Sequence, residues 1–448
     1  MFIAAFALLA AAAIAYLSPI LVLEVTFGLL VLIISFLSTE LAIYFLIFSM
    51  LLSPELVMAP LPQRNISVRM DDILIVIVSI GWLAKNAVHE ELGLFVKTPL
   101  NKAILYYVIG CVAATLFGMA FGKVKPLQGT MFLIKYIEYF FIFFIAVNNI
   151  HSREQIKRYL IAILATAAIV SVYAIIQIPL GERVDVTFQG KSGEPNTLGG
   201  YLVLVASILI GIMVSYDSPV VRVSSFSLLA ITSVPLLYTL SRSSWMALAA
   251  MYLVFLVFSR RVLLFVTVLL VVILFAGVIM PQKVRQRYRE TFMERPTEGP
   301  QQVKIGGHYL DLSASERIIS YRKILEDIKD HPVLGYGITG YGFIDGQFFR
   351  TLIETGLVGL ATFIYLLYKA FIVTLQVYKN TQDDLFRGIS LGMLAGLVAL
   401  TAHALSANTF IIIRIMEPFW LLMALVVASE NIPPVAAVIP GEGAYNFG

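Results

Sequence analysis

The sequence predicts an all-α, polytopic integral membrane protein, with about 12–14 transmembrane helices and one large extracytoplasmic loop that contains helices of its own. Of the 448 residues, 59% are hydrophobic and only 13% are charged, and the mean hydropathy is +0.88. A soluble domain usually has about 25% charged residues. Successive apolar runs fill most of the chain, and one long polar segment interrupts them at residues 281–347. Lipid is therefore expected to surround most of this protein.

The apolar runs divide the chain into four parts. Residues 1–280 are predicted to form a membrane domain of about 11 helices, and residues 348–431 about three more. Residues 281–347 form the large loop, and residues 432–448 form a C-terminal tail. The runs centre near residues 10, 28, 47, 79, 112, 139, 169, 205, 231, 251, 271, 362, 396 and 421.

Lysine and arginine in the short loops indicate the orientation, because they are enriched on the cytoplasmic side. With the N-terminus inside, the inside loops have modestly more of these residues, and Arg260 and Arg261 lie directly before the eleventh run. This orientation puts both termini in the cytoplasm and the large loop outside. The first basic residue is Arg64, so the apolar N-terminus lacks the positive region of a secretory signal and is predicted to be a retained helix.

Net charge, cysteine content and missing motifs argue against nucleic acid, disulfides, metals and common cofactors. The net charge is only +4, without a dense basic stripe, so nucleic acid is not an expected partner. The one cysteine, Cys111, excludes an intramolecular disulfide and a cysteine-based metal cluster. No phosphate-binding glycine-lysine loop, His-Glu-x-x-His motif or dinucleotide fingerprint is present. Nothing in the spacing of Asp311, Glu316 and Asp345 argues for a metal site, so we expect neither metal nor cofactor.

The large loop contains one strong helix signal, over residues 313–330. Ser313 and Glu316 have the spacing of a capping box, and Pro332 ends the helix because it disfavours a helical residue before it. An apolar stripe that should pack on the membrane domain comprises Ile318, Tyr321, Leu325 and Ile328. The loop opens with four basic residues that could also be a helix end lying on anionic lipid, namely Lys283, Arg285, Arg287 and Arg289.

The first candidate site lies in the loop before the eighth apolar run. Arg183 and Lys191 are its cations, and Pro195-Asn196 opens a helix whose N-terminus favours anions. The alternative is an ordinary loop with a helix cap.

The second candidate site is Ser241-Arg242-Ser243-Ser244-Trp245, between two strongly apolar runs. A charge so close to the membrane is costly and therefore indicates a function, and neighbouring hydroxyls would help to bind a phosphate. The alternative is an arginine that snorkels to the interface.

The third candidate site is the end of the large loop, with Arg317, His331, Asp345 and Glu354. Glu354 is predicted two turns inside a membrane helix, where a carboxylate usually has a partner, and an arginine is the natural one. Asp345 lies just before a membrane helix, where a helix cap is one role for it. A histidine before proline, as at His331, is more often structural than catalytic. Further candidate histidines are His308 in the loop and His403 near the outer end of a run.

Four segments, in this order, resemble motifs of the O-antigen ligase and O-antigen polymerase superfamily of bacterial membrane glycosyltransferases. Each motif is short, but their shared order around one large loop is more specific. The similarity covers roughly residues 130–430. The segments are Glu194-Pro195-Asn196-Thr197-Leu198-Gly199, Thr239-Leu240-Ser241-Arg242-Ser243-Ser244-Trp245, Ser315-Glu316-Arg317 with Asp330-His331-Pro332-Val333-Leu334-Gly335-Tyr336-Gly337, and FFRTLIETGLVG from Phe348 to Gly359.

The resemblance implies a reaction at the outer face of the bacterial cytoplasmic membrane. A glycan arrives on undecaprenyl diphosphate, and a sugar hydroxyl of a glycan or lipid-linked acceptor attacks its anomeric carbon. Such a step belongs to polysaccharide or lipopolysaccharide biosynthesis. The resemblance also implies that no nucleotide sugar, metal or other cofactor takes part, and that membrane lipids are the remaining partners.

The resemblance also assigns roles to the candidate residues. Fixed cations should stabilise the leaving diphosphate, and arginine binds phosphate oxygens bidentately. Arg242 is the first candidate and Arg183 the second, and Asp345 and His331 complete the candidate catalytic set. The expected substrate-binding set is Lys191, Asn196, Ser241, Ser243, Arg317 and Glu354. Ligases of the superfamily typically have a His and an Asn where this chain has Asp345-Gly346-Gln347, so ligase and polymerase both stay open.

Two other functions compete with glycan transfer. A transporter or flippase of lipid-linked oligosaccharides typically has inverted repeats and polar groups in mid-membrane. The sequence shows no repeat, and its polar residues cluster outside the apolar runs. A non-catalytic scaffold would explain neither Arg242 beside hydroxyls nor Glu354 inside a helix.

Overall fold

A computed structural model of the chain describes residues 19–59, 66–88, 96–180, 183–188, 194–279, 281–290, 302–305 and 308–432. The described part is mainly helical, which confirms the all-α class. The helices are α1 Pro19–Leu37, α2 Thr39–Leu52, α3 Met70–Val88, α4 Asn101–Ala120, α5 Pro126–Asn149, α6 Arg153–Gln177, α7 Pro195–Ser215, α8 Pro219–Tyr238, α9 Arg242–Phe258, α10 Val262–Ile279, α11 Gln282–Glu290, α12 Leu312–Asp327, α13 Gln347–Asn380, α14 Asp384–His403 and α15 Ile413–Ser429.

Short elements connect some of these helices. One antiparallel hairpin pairs β1 (Glu55–Ala59) with β2 (Ile66–Arg69), and another pairs β3 (Lys304–Ile305) with β4 (His308–Tyr309). Single turns of 3₁₀ helix occur at Ile178–Leu180, Ile328–Asp330 and Thr409–Ile411.

Seven of the described helices are long and apolar enough to cross a membrane: α4, α5, α6 with its 3₁₀ turn, α7, α8, α13 and α14. Other predicted runs form shorter apolar helices, among them α2 and α9. The first run, centred near residue 10, lies outside the described residues. The chain is a multi-pass membrane protein.

The centre of the bundle is a close contact between α7 and α14. Glycines Gly388, Gly392 and Gly396 recur every fourth residue of α14 and face Gly211 and Ser207 of α7. A Cβ on Gly392 would lie 2.6 Å from the Ile208 Cα, so a larger residue would force the two helices apart. Small residues at such spacing allow helix backbones to approach in lipid, where hydrophobic burial alone does not drive association.

The bundle has two distinguishable ends. Arg153 at the start of α6 pairs with Asp383, the N-cap of α14, through Nε and Oδ2 at 2.5 Å. The Tyr378 hydroxyl near the end of α13 donates to the Phe258 carbonyl at the end of α9. The starts of α6 and α14 and the ends of α9 and α13 therefore share one end of the bundle, called here the opposite end. The starts of α7 and α9 and the end of α14 lie at the other, called the site end.

Helix α13 is broken at Gly356, where the backbone has φ 66° and ψ −168°. The segment 331–337, from the predicted His-Pro turn, packs into this break. The Leu357 amide donates to the Pro332 carbonyl at 2.9 Å, and the Tyr336 amide donates to the Ile353 carbonyl at 2.9 Å. The loop thus satisfies backbone groups that the broken helix leaves unpaired, as membrane-embedded backbone requires.

The loop helix α12 begins earlier than the sequence predicts. Its N-cap is Asp311, whose carboxylate accepts from the Ala314 amide at 3.1 Å. The prediction of a capping box at Ser313 and Glu316 is therefore wrong. The Ser315 hydroxyl instead accepts from the Val303 amide at 2.9 Å, so this serine links the helix to the preceding hairpin.

Candidate functional site

The N-terminus of α9 is the centre of the candidate site. Ser241 caps the helix, because its hydroxyl accepts from the Ser244 amide at 3.2 Å. The same hydroxyl donates to the Asn196 carboxamide oxygen at 2.8 Å. Asn196 is the second residue of α7, which starts at Pro195 as predicted. The structure therefore brings the first two candidate sites together at two adjacent helix N-termini.

A glycine makes this approach of α7 to α9 possible. A Cβ on Gly199, one turn into α7, would overlap the Ser244 hydroxyl. The predicted Pro-Asn and Ser-Arg motifs are thus two sides of one packed contact. Ser244 is fully buried there, whereas the Arg242 side chain keeps 23% of its surface exposed.

The buried His403 lies next to the hydrogen-bonded serine hydroxyls at the start of α9. The Ser244 hydroxyl lies 3.3 Å from His403 Nε2, and His403 Nδ1 lies 2.7 Å from the Thr409 hydroxyl. His403 ends α14 and is fully buried. Both ring nitrogens have a partner, so the imidazole is fixed in orientation behind the start of α9.

Arg183 approaches the start of α9 from the loop before α7. Its Nε donates to the Thr239 carbonyl at 2.9 Å, and an Nη lies 3.4 Å from the Leu240 carbonyl. Burial, and then the positive charges of Arg287 and Arg242, lower the pKa of Arg183. No carboxylate pairs with Arg183 within the described ranges. Three guanidinium groups thus share one region, which favours an anion there.

The loop supplies a carboxylate to this cationic region. Asp311 Oδ2 lies 2.6 Å from Arg242 Nη1. Although burial raises the pKa of Asp311, its bonds with Arg242 and the Ala314 amide and the charges of Arg242 and Arg287 lower it overall. Asp311 therefore has two tasks, capping α12 and neutralising Arg242.

The end of the loop contains a second ion pair. Arg317 Nη2 lies 3.0 Å from Asp345 Oδ2, and 37% of the Asp345 side chain is exposed. The N-cap of α13 is Gly346 at φ 104°, not Asp345, so the alternative role of Asp345 as a cap is wrong. A Cβ on Gly346 would overlap the Tyr321 hydroxyl, so this position requires glycine.

The segment between α14 and α15 contacts the elements that carry both ion pairs, Arg242–Asp311 and Arg317–Asp345. The Ser243 hydroxyl lies 2.7 Å from the Ser406 hydroxyl. The Tyr321 hydroxyl, one turn after Arg317, donates to the Leu405 carbonyl at 2.9 Å. Neighbouring residues of one short segment thus contact the helix that presents Arg242 and the helix that presents Arg317.

Glu354 belongs to a separate buried cluster. Its Oε1 accepts from Arg350 Nε and Nη2, each at 3.2 Å, and its Oε2 accepts from the Tyr136 hydroxyl at 3.1 Å. The Thr339 amide lies 3.4 Å from Oε1. The carboxylate has the arginine partner that the sequence suggested, one turn earlier in α13, and it holds the inserted loop at the helix break.

His331 does not join the cationic region. The His331 ring packs against Phe117, at 6.0 Å between centroids, and against Tyr336 at 4.7 Å. Lys191 lies outside the described residues. Within the described ranges, no group of three or more His, Cys, Asp or Glu could hold a metal ion.

Several contributors to the site were not identified from the sequence. Asp311 was considered only as a metal ligand, and Arg287 only as one of four basic residues at the start of the loop. Ser244 belongs to the second candidate site, but its contact with His403 was not predicted. Ser406 was not predicted either, because the pairing of Ser243 with a residue 163 positions away has no local sequence signal.

Comparison with known proteins agrees with the resemblance. Residues 226–364 match the family model described as O-Antigen ligase. This segment runs from α8 through α9 and the loop to the first half of α13, and so includes Arg242, Asp311 and Asp345. The match confirms the resemblance to the O-antigen ligase and polymerase superfamily that the four motifs indicated. No curated protein matches the chain significantly.

Proposed function

We propose that this membrane protein transfers a glycan from an undecaprenyl-diphosphate donor to a sugar hydroxyl of an acceptor, at the outer face of the bacterial cytoplasmic membrane. The acceptor is a glycan or a lipid-linked glycan, so the enzyme is a polymerase or a ligase. One observation supports this most directly: Arg242 and Arg183 meet at the hydroxyl-lined start of α9, beside Arg287. The match to the O-Antigen ligase family supports the general class of reaction.

In the proposed step, the acceptor oxygen forms a bond to the anomeric carbon while the bond from that carbon to the diphosphate oxygen breaks. The electron pair stays on the leaving diphosphate, where negative charge increases. Arg242, with Arg183 beside it, stabilises that charge, and the arginine fork can hold two phosphate oxygens. Ser241 and Asn196 hold the start of α9, and Ser243 anchors it to Ser406. Arg242 becomes available to the diphosphate when Asp311 gives way.

We assign the acceptor side to the Arg317–Asp345 pair. Asp345 is the partly exposed carboxylate of this pair and accepts the proton of the attacking hydroxyl. The segment Leu405–Ser406 contacts both the donor side and the acceptor side, which supports a single cavity between loop and bundle. Glu354 and His331 have structural roles in this proposal.

Replacement of Arg242 tests the proposal. Arg242→Ala should lower glycan transfer by about 10²–10³-fold, the usual cost of one lost donor to a developing oxyanion. Arg242→Lys should recover only part of it, because an ammonium is a point charge without a planar fork. Transfer is measured as product length and yield with purified protein and lipid-linked donor.

Arg158→Ala is the matched control for this replacement. Arg158 is half exposed at the opposite end, pairs with Glu40, and touches none of the proposed machinery. It should transfer at the wild-type rate. Normal product from a well-expressed Arg242→Ala variant would rule out the mechanism.

One feature favours the alternative function, transport of a lipid-linked oligosaccharide. Buried ionisable side chains lie between α3, α5 and α15: Lys135 pairs with Asp72 at 2.9 Å, and Glu138 and Glu417 are buried near them. Such groups inside a membrane bundle often mark ion or substrate pathways. Assays in detergent separate the functions, because solubilised protein has no two compartments. Glycan transfer in detergent requires an enzyme, whereas a transporter alone would form no product.

A further inference from the structure

A basic cavity of about 170 Å³ lies at the opposite end of the bundle, away from the candidate site. The turn between α9 and α10 contributes Arg260 and Arg261, and α14 contributes Arg387. Asp217 and Asp384 are its acidic lining residues. We propose that this cavity binds the phosphate headgroup of an anionic glycerophospholipid.

Asp217, the acidic residue beside Arg260 and Arg261, already pairs with arginine. Asp217 Oδ1 lies 3.0 Å from Arg261 Nη2 and also pairs with Arg222, which lies on the first turn of α8. Two guanidinium groups thus share one carboxylate. Arg260 is exposed and forms no hydrogen bond or ion pair with the parts of the chain that the structure describes. The cavity therefore keeps a positive excess.

Arg387 and the end of α13 close the other wall. One Nη of Arg387 donates to the Thr381 carbonyl at 2.8 Å, which directs the guanidinium along the start of α14. The Tyr378 hydroxyl also lines the cavity while donating to the Phe258 carbonyl at 2.6 Å. Arginine forks on two sides of a cavity suit a phosphate, whose oxygens accept two parallel N–H bonds from each fork.

The surroundings favour a lipid phosphate over a dissolved anion. Arg261 directly precedes α10, where Leu263 is 78% exposed, and Asp217 nearly adjoins α8, where Val220 is 74% exposed. These apolar faces begin beside the cavity, where lipid acyl chains would run. A headgroup in the cavity could therefore keep its chains along α8 and α10. Basic pockets between membrane helices bind anionic headgroups in this way.

The test uses the full-length protein in detergent with three probes: phosphatidylglycerol, phosphatidylcholine and inorganic phosphate. Native mass spectrometry measures retained lipid, and thermal unfolding measures stabilisation. We expect phosphatidylglycerol to be retained and to raise the Tm, with phosphatidylcholine and phosphate much weaker. Arg260→Gln and Arg387→Gln should each weaken phosphatidylglycerol binding by roughly fivefold.

Arg158→Gln is the matched control, because it removes an arginine from the same end of the bundle without touching the cavity. Phosphatidylglycerol binding by this variant should equal that of the wild type. Equal losses in all three variants would mean nonspecific attraction to a basic surface and would overturn the proposal. Stabilisation by phosphate as strong as by phosphatidylglycerol would also overturn it, in favour of a free-anion site. Both measurements are independent of glycan transfer.

Discussion

At the scale of single residues, the informative contact is the one between Arg242 and Asp311. An arginine proposed to hold a diphosphate already holds a carboxylate, at 2.6 Å, in the protein without substrate. A carboxylate and a phosphate offer the same fork of oxygens to a guanidinium. The donor must therefore compete with Asp311, and its binding would release the start of α12 from Arg242.

Asp311→Asn tests this competition. Asparagine is also a good N-cap, so α12 should persist while the negative charge beside Arg242 is lost. We expect pyrophosphate, as a soluble mimic of the donor, to bind at least about fivefold more tightly, because a competing ion pair that is only partly exposed should contribute about 1 kcal/mol or more. Calorimetric titration of wild type and variant measures the difference.

The pH dependence of the same titration provides the control. Because the pKa of Asp311 is lowered, the carboxylate stays ionised above the ordinary carboxyl range and loses its charge only as the pH falls below it. The advantage of the Asn variant should therefore be constant near neutral pH and disappear in acid. Weaker binding by the variant at neutral pH would show that Asp311 supports the site instead of competing.

At this scale, a local motif in the sequence predicts which residues lie at the start of a helix. Arg242, Ser241 and Asn196 were identified because serine-arginine and proline-asparagine pairs at membrane helix starts have a direct physical meaning. Asp311 was not identified. It lies 69 positions after Arg242 in the sequence, and only the fold of the loop brings the two residues together. The pairing of Ser243 with Ser406 is undetectable for the same reason.

At the scale of elements, the break in α13 determines how the loop is attached. Gly356 occupies a region of φ and ψ that is essentially restricted to glycine. The sequence predicted a glycine-rich turn after His331 and a helix from Phe348, and both occur. It did not predict that the turn enters the helix, because a lone glycine in an apolar run is common and usually tolerated.

Gly356→Ala should destabilise the protein by at least about 1–3 kcal/mol through backbone strain. The added Cβ would also overlap the Val333 carbonyl, so the inserted segment must move. The Tm should fall, and hydrogen exchange should increase at the amides of Tyr336 and Leu357, whose bonds span the break.

Gly342→Ala is the matched control in the same loop. A Cβ there would meet nothing within 4 Å, and the residue does not require positive φ. Its Tm should equal that of the wild type. A Gly356→Ala variant as stable as Gly342→Ala would mean that the break is not needed for the fold.

At the scale of the whole molecule, the two ends of the bundle differ in chemistry. The site end combines Arg183 and Arg242 with hydroxyls and a long loop, whereas the opposite end has paired arginines on short turns. The sequence separated these groups correctly, since lysine and arginine counts and alternating spans require no tertiary information. The tight α7–α14 contact could not be located, because the glycine spacing of α14 does not identify its partner.

The orientation of the ends is testable with cysteine labelling. Cys111 is the chain's one cysteine and is buried, so a single added cysteine should dominate the reaction. We expect Gly307→Cys in intact cells to react with a membrane-impermeant maleimide. Arg260→Cys should react only after the membrane is opened. The reverse pattern would place the proposed site in the cytoplasm and remove its access to an exported donor.

The segment inserted at Gly356 also limits how this protein can be recombined with relatives. Asp311 contacts the bundle through its side chain, so the segment before α12 can be exchanged if an acidic N-cap and Arg287 are kept. Residues 331–337 cannot, because their backbone completes the hydrogen bonding of α13. A chimaera with its junction inside the start of α12 should fold. With a junction after Asp330, the loop helix and the segment inserted into α13 would come from different proteins. The part of this loop that can be exchanged without disturbing the break in α13 therefore ends where α12 begins.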